Sequence, residues 1–362
     1  MKVLMENKND LPGQCRAIQP HHSWADVTNG AKPFHVLALS GGGFRGLYTA
    51  TVLKHLEEQL GGPLAHRFDL ICGTSAGGLL ALGLAAEIPA EQLQAMFEQD
   101  GVRIFNRPTG MRRILGPFMR AKYSPDGLRS VLKEKFGERS LGDLEHRVLI
   151  PTVNYSKGSG QFFKTPHSPQ FSLDYKHKLV DVGMATAAAP TYFPLHQIGE
   201  EGVYADGGLV GNSPGFFGLH EAYYALGVPR GAGNLRVLAI GTMTLGSTKS
   251  GNSGLDWGIL DWGAKLFSLV ISAQEYSVDA MLGHLLGQDY VRIDDPATPD
   301  QSKDVAALDI VSPAAIEVLT SRGTQAARRA LGDPALTPFR NHFAANPVFF
   351  HGPNKTPENR HA

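Results

Sequence analysis

Residues 34–53 of the chain read FHVLALSGGGFRGLYTATVL. An apolar run meets a glycine cluster in which Gly41, Gly43 and Gly46 fit the pattern G-x-G-x-x-G. A loop of this kind presents backbone N–H groups that attract anions, so it can hold the pyrophosphate of a dinucleotide. The same groups can stabilise the oxyanion of an acyl-transfer transition state. The residues that follow decide between these two sites.

A second motif, Gly73-Thr74-Ser75-Ala76-Gly77, favours the acyl-transfer site. A dinucleotide site expects an acidic residue about 20 positions after the glycine loop, at the end of the second strand. Asp69 lies near that distance, but it begins an apolar run instead of ending it. The run leads into G-x-S-x-G and then into a helical pattern, which is the signature of a nucleophile elbow that projects the Ser75 hydroxyl. A plain Gly/Ser turn, with tight helix packing through its glycines, stays open as the alternative.

A candidate base for Ser75 lies in Asp206-Gly207-Gly208, where a carboxylate sits against two glycines. Asp-Gly by itself usually marks a turn, so the motif carries weight only in combination with the elbow. A conventional triad would place a histidine after the acid. The histidines that follow Asp206 have no distinctive local setting; they are His220, His284, His342, His351 and His361. A Ser-His-Asp mechanism is therefore an alternative that the sequence alone leaves open.

In this order the motifs resemble those of the patatin-like phospholipase family. The family's glycine-rich oxyanion loop is matched by residues 40–46, its serine elbow by 73–77 and its D-G-G motif by 206–208. A further block, residues 185–194, resembles the segment before the family's aspartate, and the whole similarity covers roughly residues 34–293. The resemblance implies an α/β protein with a three-layer patatin-like fold. Such a fold has a mostly parallel central sheet, helices on both faces and a mobile cap.

The resemblance also implies a catalytic dyad. Ser75 would attack an acyl ester carbonyl while Asp206 accepts its proton, with no imidazole between them. The positive N-terminus of the helix after Ser75 would favour developing negative charge. The oxyanion is assigned to the glycine-rich loop, through Gly41, Gly42, Gly43 and Arg45. The implied activity is that of a serine lipid acyl hydrolase that cleaves fatty acyl esters of membrane phospholipids through an acyl-enzyme and needs no cofactor.

Within the family, the overall length and the segment 273–293 look like bacterial members. Some of those are effectors in antiphage defence that a cyclic dinucleotide, such as cGAMP, switches on to degrade the cell's own phospholipids. A cyclic dinucleotide activator is therefore an expected partner. Two alternatives stay open, a constitutive lysophospholipase or esterase and a catalytically idle lipid-binding protein.

The composition limits which partners, metals and locations we expect for the protein. Lys+Arg and Asp+Glu both number 34 in the 362 residues, which predicts no DNA or RNA polymer partner. Two cysteines argue against a disulfide scaffold, and no His/Cys/Asp cluster has metal-ligand spacing, so we expect no metal. The N-terminus lacks an apolar signal region, and the run 76–86 is too short to span a bilayer. The expected location is the cytoplasm with peripheral contact at the inner membrane, and a homo-oligomer stays open.

The predicted organisation is an N-terminal arm over residues 1–30, a patatin-like domain over 31–345 and a tail over 346–362. Within the domain, the segment 101–125 contains six basic residues and no acidic one; they are Arg103, Arg107, Arg112, Arg113, Arg120 and Lys122. With its interleaved apolar residues, this cap segment suits an anionic lipid surface or a nucleotide's phosphates. A plain lid or a dimer contact is the alternative.

Hydrophobic periodicity predicts alternating strands and helices. The predicted strands are 34–40, 69–73, 147–153, 235–241 and 289–293, and the predicted helices are 45–60, 76–86, 126–136, 180–189, 214–226 and 262–286. A second candidate membrane surface lies in residues 251–281, where aromatic and aliphatic side chains precede a helix. We favour a role in the core for these residues.

Overall fold

A computed structural model describes residues 32–106, 120–200, 202–243, 256 and 259–357. The strands of this part of the chain are β1 (Phe34–Leu39), β2 (Leu70–Gly73), β3 (Val148–Asn154), β4 (Ser159–Lys164), β5 (His196–Ile198), β6 (Gly202–Asp206), β7 (Leu235–Ile240) and β8 (Tyr290–Ile293). The helices are α1 (Gly46–Leu60), α2 (Ala76–Ala85), α3 (Ala90–Ile104), α4 (Pro125–Phe136), α5 (Leu179–Thr186), α6 (Gly208–Gly211), α7 (Gly215–Tyr224), α8 (Ile259–Leu286), α9 (Pro299–Val305), α10 (Pro313–Gly332) and α11 (Thr337–Asn341).

The strands form one mixed sheet in the order β5-β6-β3-β2-β1-β7-β8, with β4 on the other edge of β3. The pairs β1–β2, β1–β7, β2–β3 and β7–β8 are parallel. The pairs β3–β4, β3–β6 and β5–β6 are antiparallel. The parallel strands are joined by helical crossovers, which the strand–helix alternation predicts.

Helices cover both faces of the sheet, because the parallel strands carry apolar residues on both sides. Strand β1 shows the division: Leu37 and Leu39 join one buried cluster, while Phe34, Val36 and Ala38 join the other. The larger cluster includes side chains from α1 to α5 and α10, and the smaller one is built with α7 and α8. The three-layer α/β fold predicted from the sequence is thus confirmed.

All five predicted strands and all six predicted helices are present, with ends that differ by at most three residues. Strands β4, β5 and β6 and helices α3, α6, α9, α10 and α11 were not predicted. The three strands are short or only half buried, as the pattern of exposed and intermediate residues in β4 shows. Partly exposed antiparallel strands lack the continuous apolar run that marks a buried parallel strand.

Two sequence predictions fall wholly or largely on residues outside the described part of the chain. These are the arm over 1–30 and the mobile cap, of which residues 107–119 are not described. The described ends of the cap segment belong to the domain, since α3 continues to Ile104 and the N–H groups of Lys122 and Tyr123 each donate to a carbonyl 2.9 Å away. The described part of the expected tail packs on the domain through the buried Phe349. The domain boundaries and the mobility of the cap stay predictions.

Candidate active site

The nucleophile elbow is formed where β2 passes into α2. Ser75 adopts a φ of 52°, a left-handed value that non-glycine residues rarely take, and α2 begins at the next residue. A side chain at Gly77 would place its Cβ 2.2 Å from the carbonyl oxygen of Leu39, so the elbow needs glycine there. The backbone N–H of Ser75 donates to Thr186 Oγ1 at 3.0 Å. The turn therefore holds Ser75 in a strained but braced conformation at the positive end of a buried helix.

The sheet topology brings the acid to the serine. Strand β4 occupies one whole edge of β3, so β2 and β6 share the other edge. Strand β2 runs parallel to β3 and pairs with its beginning, whereas β6 runs antiparallel and pairs with its end. The carboxyl ends of β2 and β6 thus point toward each other. Ser75 follows the first of these ends, and Asp206 is the last residue of the second.

The two side chains meet in a buried hydrogen bond. Ser75 Oγ donates to Asp206 Oδ2 at 2.8 Å, and the other carboxylate oxygen, Oδ1, accepts the N–H of Gly208 at 2.7 Å. Ser75 is 9% exposed and Asp206 is 2% exposed. Burial raises the pKa of the Asp206 carboxyl to about 7, although the hydrogen bonds from Gly208 and Ser75 act to lower it. The carboxylate is therefore a stronger base than an exposed aspartate.

The glycine-rich loop lies beside Ser75, and its backbone N–H groups differ in what they contact. The N–H of Gly41 donates to the carbonyl of Asn212 at 3.1 Å. None of the described hydrogen bonds uses the N–H of Gly42 or Gly43, and both residues line the cavity that contains Ser75. Gly43 has a φ of 57°, and a Cβ there would meet the carbonyl oxygen of Leu308 at 2.2 Å. The N–H groups of Gly42 and Gly43 are thus available beside the cavity, whereas the N–H of Gly41 supports the loop itself.

Arg45 takes a different place from the one expected. Its Nη1 donates to the carbonyl oxygen of Met243 at 3.3 Å, and its buried charge interacts with Glu275 and Asp294. Arg45 is not among the described residues that line the cavity. The guanidinium therefore fastens the glycine loop to the segment after β7, and the geometry does not favour it as an oxyanion donor. The residue was predicted from its position in the loop, which does not specify where a long side chain ends.

A cavity whose lining includes both dyad residues lies next to the glycine-rich loop. Its walls are mainly aliphatic and aromatic, formed by Leu79, Phe97, Ile104, Phe105, Leu128, Phe193, Phe267 and Ile271. Ser75 and Asp206 are among its polar lining residues. A cavity with apolar walls and a few convergent polar groups fits a hydrocarbon chain that presents one ester to the dyad.

The described histidines after Asp206 are bound elsewhere. His342 Nε2 lies 2.8 Å from Asp69 Oδ2, His351 Nε2 lies 2.8 Å from the carbonyl oxygen of Pro169, and His220 stacks on Tyr224. His284 is exposed on α8, and His361 lies outside the described residues. The geometry therefore gives no support to a Ser-His-Asp triad.

Asp69 is also placed where a dinucleotide site could not use it. It precedes β2, at the end of that strand opposite Gly73, and accepts the backbone N–H of His35 at 2.8 Å. Its carboxylate is thus engaged at the amino ends of β1 and β2, whereas the glycine loop follows the carboxyl end of β1. The loop belongs to the serine site.

Two side chains support the site in roles that sequence analysis missed. Thr186 accepts the N–H of Ser75 and donates to the carbonyl of Pro151 at 2.7 Å, which ties the elbow to β3. Asn212 donates from Nδ2 to the carbonyl of Gly41 at 2.9 Å and lines the cavity. Both residues lie in or just after motifs that the sequence comparison with the family singled out. The motifs gave a signal that these positions matter, but not what their side chains would do.

One cluster with metal-ligand character occurs in the described part of the chain, away from the dyad. It consists of His66, Glu87 and His146, whose ligand atoms all lie within 4.8 Å of one another. The residues are far apart in sequence, so the spacing criterion that predicted no metal could not detect them.

Comparison with known proteins agrees with the motifs. A model of the family described as "Patatin-like phospholipase" matches residues 37–215. A Pseudomonas aeruginosa protein named cGAMP-activated phospholipase is 61% identical over 326 residues, which cover 90% of this chain and 97% of the relative. Proteins of the same name from Vibrio cholerae and Escherichia coli are 37% and 33% identical, cover 81% and 84% of this chain, and are themselves covered over 90% and 91%.

The matched residues include the glycine loop, the elbow and the aspartate motif whose geometry is described above. The similarity to the Pseudomonas protein extends over nearly the whole of both chains. The chain belongs to the patatin-like phospholipase family.

Proposed function

We propose that this protein hydrolyses fatty acyl esters of phospholipids with Ser75 as nucleophile and Asp206 as its base. The observation that carries the proposal is the buried 2.8 Å hydrogen bond between the two side chains, both of which line an apolar cavity. A Gly/Ser turn with a purely structural role would not need a desolvated carboxylate as the partner of its hydroxyl. Family membership supports the same reaction class.

The first half of the reaction uses groups already in place. Asp206 accepts the Ser75 proton while Ser75 Oγ bonds to the ester carbonyl carbon, and the carbonyl oxygen becomes an oxyanion. That oxygen lies beside the free N–H groups of Gly42 and Gly43, each of which is expected to stabilise the transition state by roughly 10²–10³ in rate. The tetrahedral intermediate then breaks the bond to the alcohol oxygen, which takes the proton back from Asp206 and leaves as the lysolipid.

The second half repeats the sequence with water. Asp206 accepts a proton from a water molecule, whose oxygen bonds to the acyl carbon, and the Ser75–acyl bond then breaks. Ser75 regains the proton and the fatty acid leaves. A base that works directly on a hydroxyl performs best with a pKa near the working pH, and the buried carboxyl, with a pKa of about 7, meets this condition.

Regulation by cGAMP is part of the proposal. Three relatives, the first of them 61% identical along nearly the whole chain, carry the name cGAMP-activated phospholipase. An activating ligand shifts a protein between conformations only by its preference for the active one. We therefore expect a closed, weakly active protein in the absence of cGAMP. Membership among antiphage defence effectors stays a prediction from the sequence.

We also propose that the protein contacts the membrane with one face of α8. Leu269 and Val270 are 42% and 37% exposed, while their neighbours Phe267 and Ile271 line the catalytic cavity. The exposed apolar side chains continue along the helix and comprise Leu266, Leu269, Val270, Tyr276, Met281 and Leu285. The acidic side chains of this stretch, Glu275 and Asp279, are not exposed. An apolar helix face beside the cavity suits insertion at the boundary between headgroups and acyl chains.

This surface differs from the one that the sequence favoured. A role in the core was expected for residues 251–281, of which 251–255 and 257–258 lie outside the described residues. Among the described side chains of this range, Leu266, Leu269 and Val270 are exposed. In the basic cap segment, Arg103 pairs with Asp100 and Glu134 at 2.6 Å each, and Lys122 pairs with Asp309. Three other cations of the segment lie outside the described residues. A membrane or nucleotide contact by that segment stays a prediction. None of the described helices is both long and apolar enough to cross a bilayer.

The catalytic proposal is tested by fatty-acid release from phospholipid vesicles. The wild-type protein should release fatty acid, more so with cGAMP, and Ser75→Ala and Asp206→Asn should release none with or without it. Ser302→Ala is the control. The Ser302 hydroxyl, in α9, donates to the carbonyl oxygen of Thr298, which lies one turn earlier, just before the helix. Release by Ser75→Ala at the wild-type rate would exclude the dyad. Equal release with and without cGAMP would instead indicate a constitutive enzyme, and no release from wild type under any condition would indicate a lipid-binding protein.

The membrane surface is tested separately with Leu269→Glu and Val270→Glu together. The pair should lower release from vesicles at least about tenfold, because two charges must enter an apolar boundary, and should leave hydrolysis of a soluble short-chain ester unchanged. Leu173→Glu is the matched control, since Leu173 is 69% exposed but does not line the cavity. Equal activity of the double variant and the control on vesicles would contradict this surface.

A further inference from the structure

A cluster of two histidines and one glutamate lies at the end of α2 opposite Ser75. Glu87 follows the helix, His66 lies in the turn before β2, and His146 lies just before β3. Glu87 Oε1 is 2.8 Å from His66 Nε2 and 3.1 Å from His146 Nε2. The two imidazole rings are edge to face, with centroids 4.9 Å apart. Three side chains from three separate segments thus converge on one point.

We propose that this cluster is a binding site for a divalent transition-metal ion, with Zn²⁺ as the best match. Two imidazole nitrogens and one carboxylate oxygen form a ligand set that proteins use for Zn²⁺, with a water molecule as the fourth ligand. Harder ions such as Mg²⁺ prefer sites made of oxygen.

The spacing of the ligand atoms is close to what the ion requires. Zinc–nitrogen and zinc–oxygen bonds of about 2.0–2.1 Å in a tetrahedron place the ligand atoms roughly 3.3 Å apart. The two nitrogen–oxygen distances of 2.8 and 3.1 Å need to widen only slightly, and the two nitrogens, within 4.8 Å of each other, need to approach. The His66 side chain is 51% exposed, so it can make this adjustment without repacking the core.

The surroundings divide the site into a fixed part and an open part. The His146 side chain is only 10% exposed, and its ring packs edge to face against the ring of His66. The Glu87 side chain is 43% exposed, which leaves a path for the ion and room for a water ligand. Glu87 also stands at the carboxyl end of α2, where the helix carries a partial negative charge that favours a cation.

A metal ion at this point would tie together three segments that position the catalytic elbow. Helix α2 carries Ser75 at its beginning and Glu87 just after its end, so the ion lies about 15 Å from the dyad along the helix. At that distance it cannot touch the substrate. Its expected effect is to stabilise the fold around α2, and hydrolysis should not require it.

The test is a titration of untagged, chelator-stripped protein with zinc sulfate, followed by calorimetry and by thermal unfolding. We expect one ion per chain and a higher unfolding temperature with zinc than with magnesium. Glu87→Gln and His66→Ala should each weaken binding at least about tenfold. Cobalt(II) should give the visible absorption of a four-coordinate site, and Glu87→Gln should lose it.

Controls separate this site from other histidines. His220→Ala removes an exposed histidine that stacks on Tyr224, and a double variant at His21 and His22 removes the adjacent pair near the N-terminus. Both should bind zinc as the wild type does. The proposal is overturned if zinc binds no better than magnesium, or if Glu87→Gln binds it as tightly as the wild type. Loss of binding in the His21/His22 variant alone would also overturn it, by placing the ion elsewhere.

Discussion

Replacing Asp206 with asparagine should abolish hydrolysis and at the same time stabilise the fold at neutral and higher pH. Burial raises the pKa of this carboxyl from 3.8 to about 7. Between these values the folded protein holds a proton that the unfolded chain has released, so raising the pH weakens the folded state. Asparagine imitates the protonated carboxyl and keeps the acceptor for the Gly208 N–H. The Asp206→Asn protein therefore does not lose stability in this way as the pH rises.

The size of the effect follows from the displacement of the pKa. The carboxyl titrates about three pH units above its ordinary value, and each unit corresponds to about 1.4 kcal/mol. Above pH 7 the ionised carboxylate thus costs the fold about 4 kcal/mol. At pH 4 the cost is close to zero, because the carboxyl is protonated in the folded protein and half protonated in the unfolded chain.

The assay is reversible urea unfolding of the wild type and of Asp206→Asn from pH 4 to pH 8. The difference in unfolding free energy should be small at pH 4, grow toward about 4 kcal/mol near pH 7 and then level off. Asp300→Asn changes an exposed carboxyl on α9 and should show no such growth. A difference that stays constant with pH, or an Asp206→Asn protein that is less stable at pH 8, would refute the idea of a desolvated catalytic base.

Three further predictions concern the same site and its surroundings. The kcat/KM for a soluble ester should rise with pH through a midpoint near 7 and then level off, because Asp206 must be ionised to act as the base. A midpoint below pH 5 would contradict a buried base. Thr186→Val should lower kcat about tenfold with little change in KM, because the Ser75 N–H loses its acceptor. The same change should lower the unfolding free energy by about 1–3 kcal/mol. An unchanged kcat would show that the elbow does not need this hydrogen bond. His342→Ala should lower the unfolding free energy by about 2 kcal/mol, because the buried contact with Asp69 is lost. At a temperature where the variant is folded, it should still hydrolyse the ester. A folded but inactive variant would restore the triad hypothesis.

The parallel part of the fold could be predicted from the sequence because buried strands and amphipathic helices leave distinct periodic patterns. Strand β6 could not be recognised in this way, since its five residues are only partly apolar. Yet β6 is the strand that carries Asp206 to Ser75. The aspartate itself was identified from its motif, while the head-to-head arrangement of β2 and β6 along β3 depends on long-range pairing that no local pattern contains.

The candidate site shows the same division between local and long-range information. The elbow conformation follows from small residues around Ser75, so its position was predictable. Which N–H groups of the loop are free depends on Asn212 and Leu308, which come from distant segments. For the same reason the sequence could not show that Gly41 is already bonded. It also could not bring together His66 and Glu87, whose proximity arises only in the folded protein.

The exposed face of α8 illustrates a limit of composition. Apolar residues at helical spacing are usually buried, and residues 251–281 were expected to follow that rule. One side of α8 does, because Ile271 and Leu282 are buried. The other side carries further apolar residues, and only the folded structure shows that Leu269 and Leu285 are exposed. A helix that is apolar on more than one face needs a second apolar neighbour, which the lipid surface would supply.

The most direct test of the dyad is covalent labelling with an alkyl fluorophosphonate in the presence of cGAMP, with the modified residue located by mass spectrometry. We expect a single adduct on Ser75, formed at a rate that rises with pH through a midpoint near 7. In Asp206→Asn, labelling should be slower by at least roughly 100-fold, because the serine loses its base. An adduct on any other residue, or labelling of Asp206→Asn at the wild-type rate, would contradict catalysis by the Ser75–Asp206 dyad.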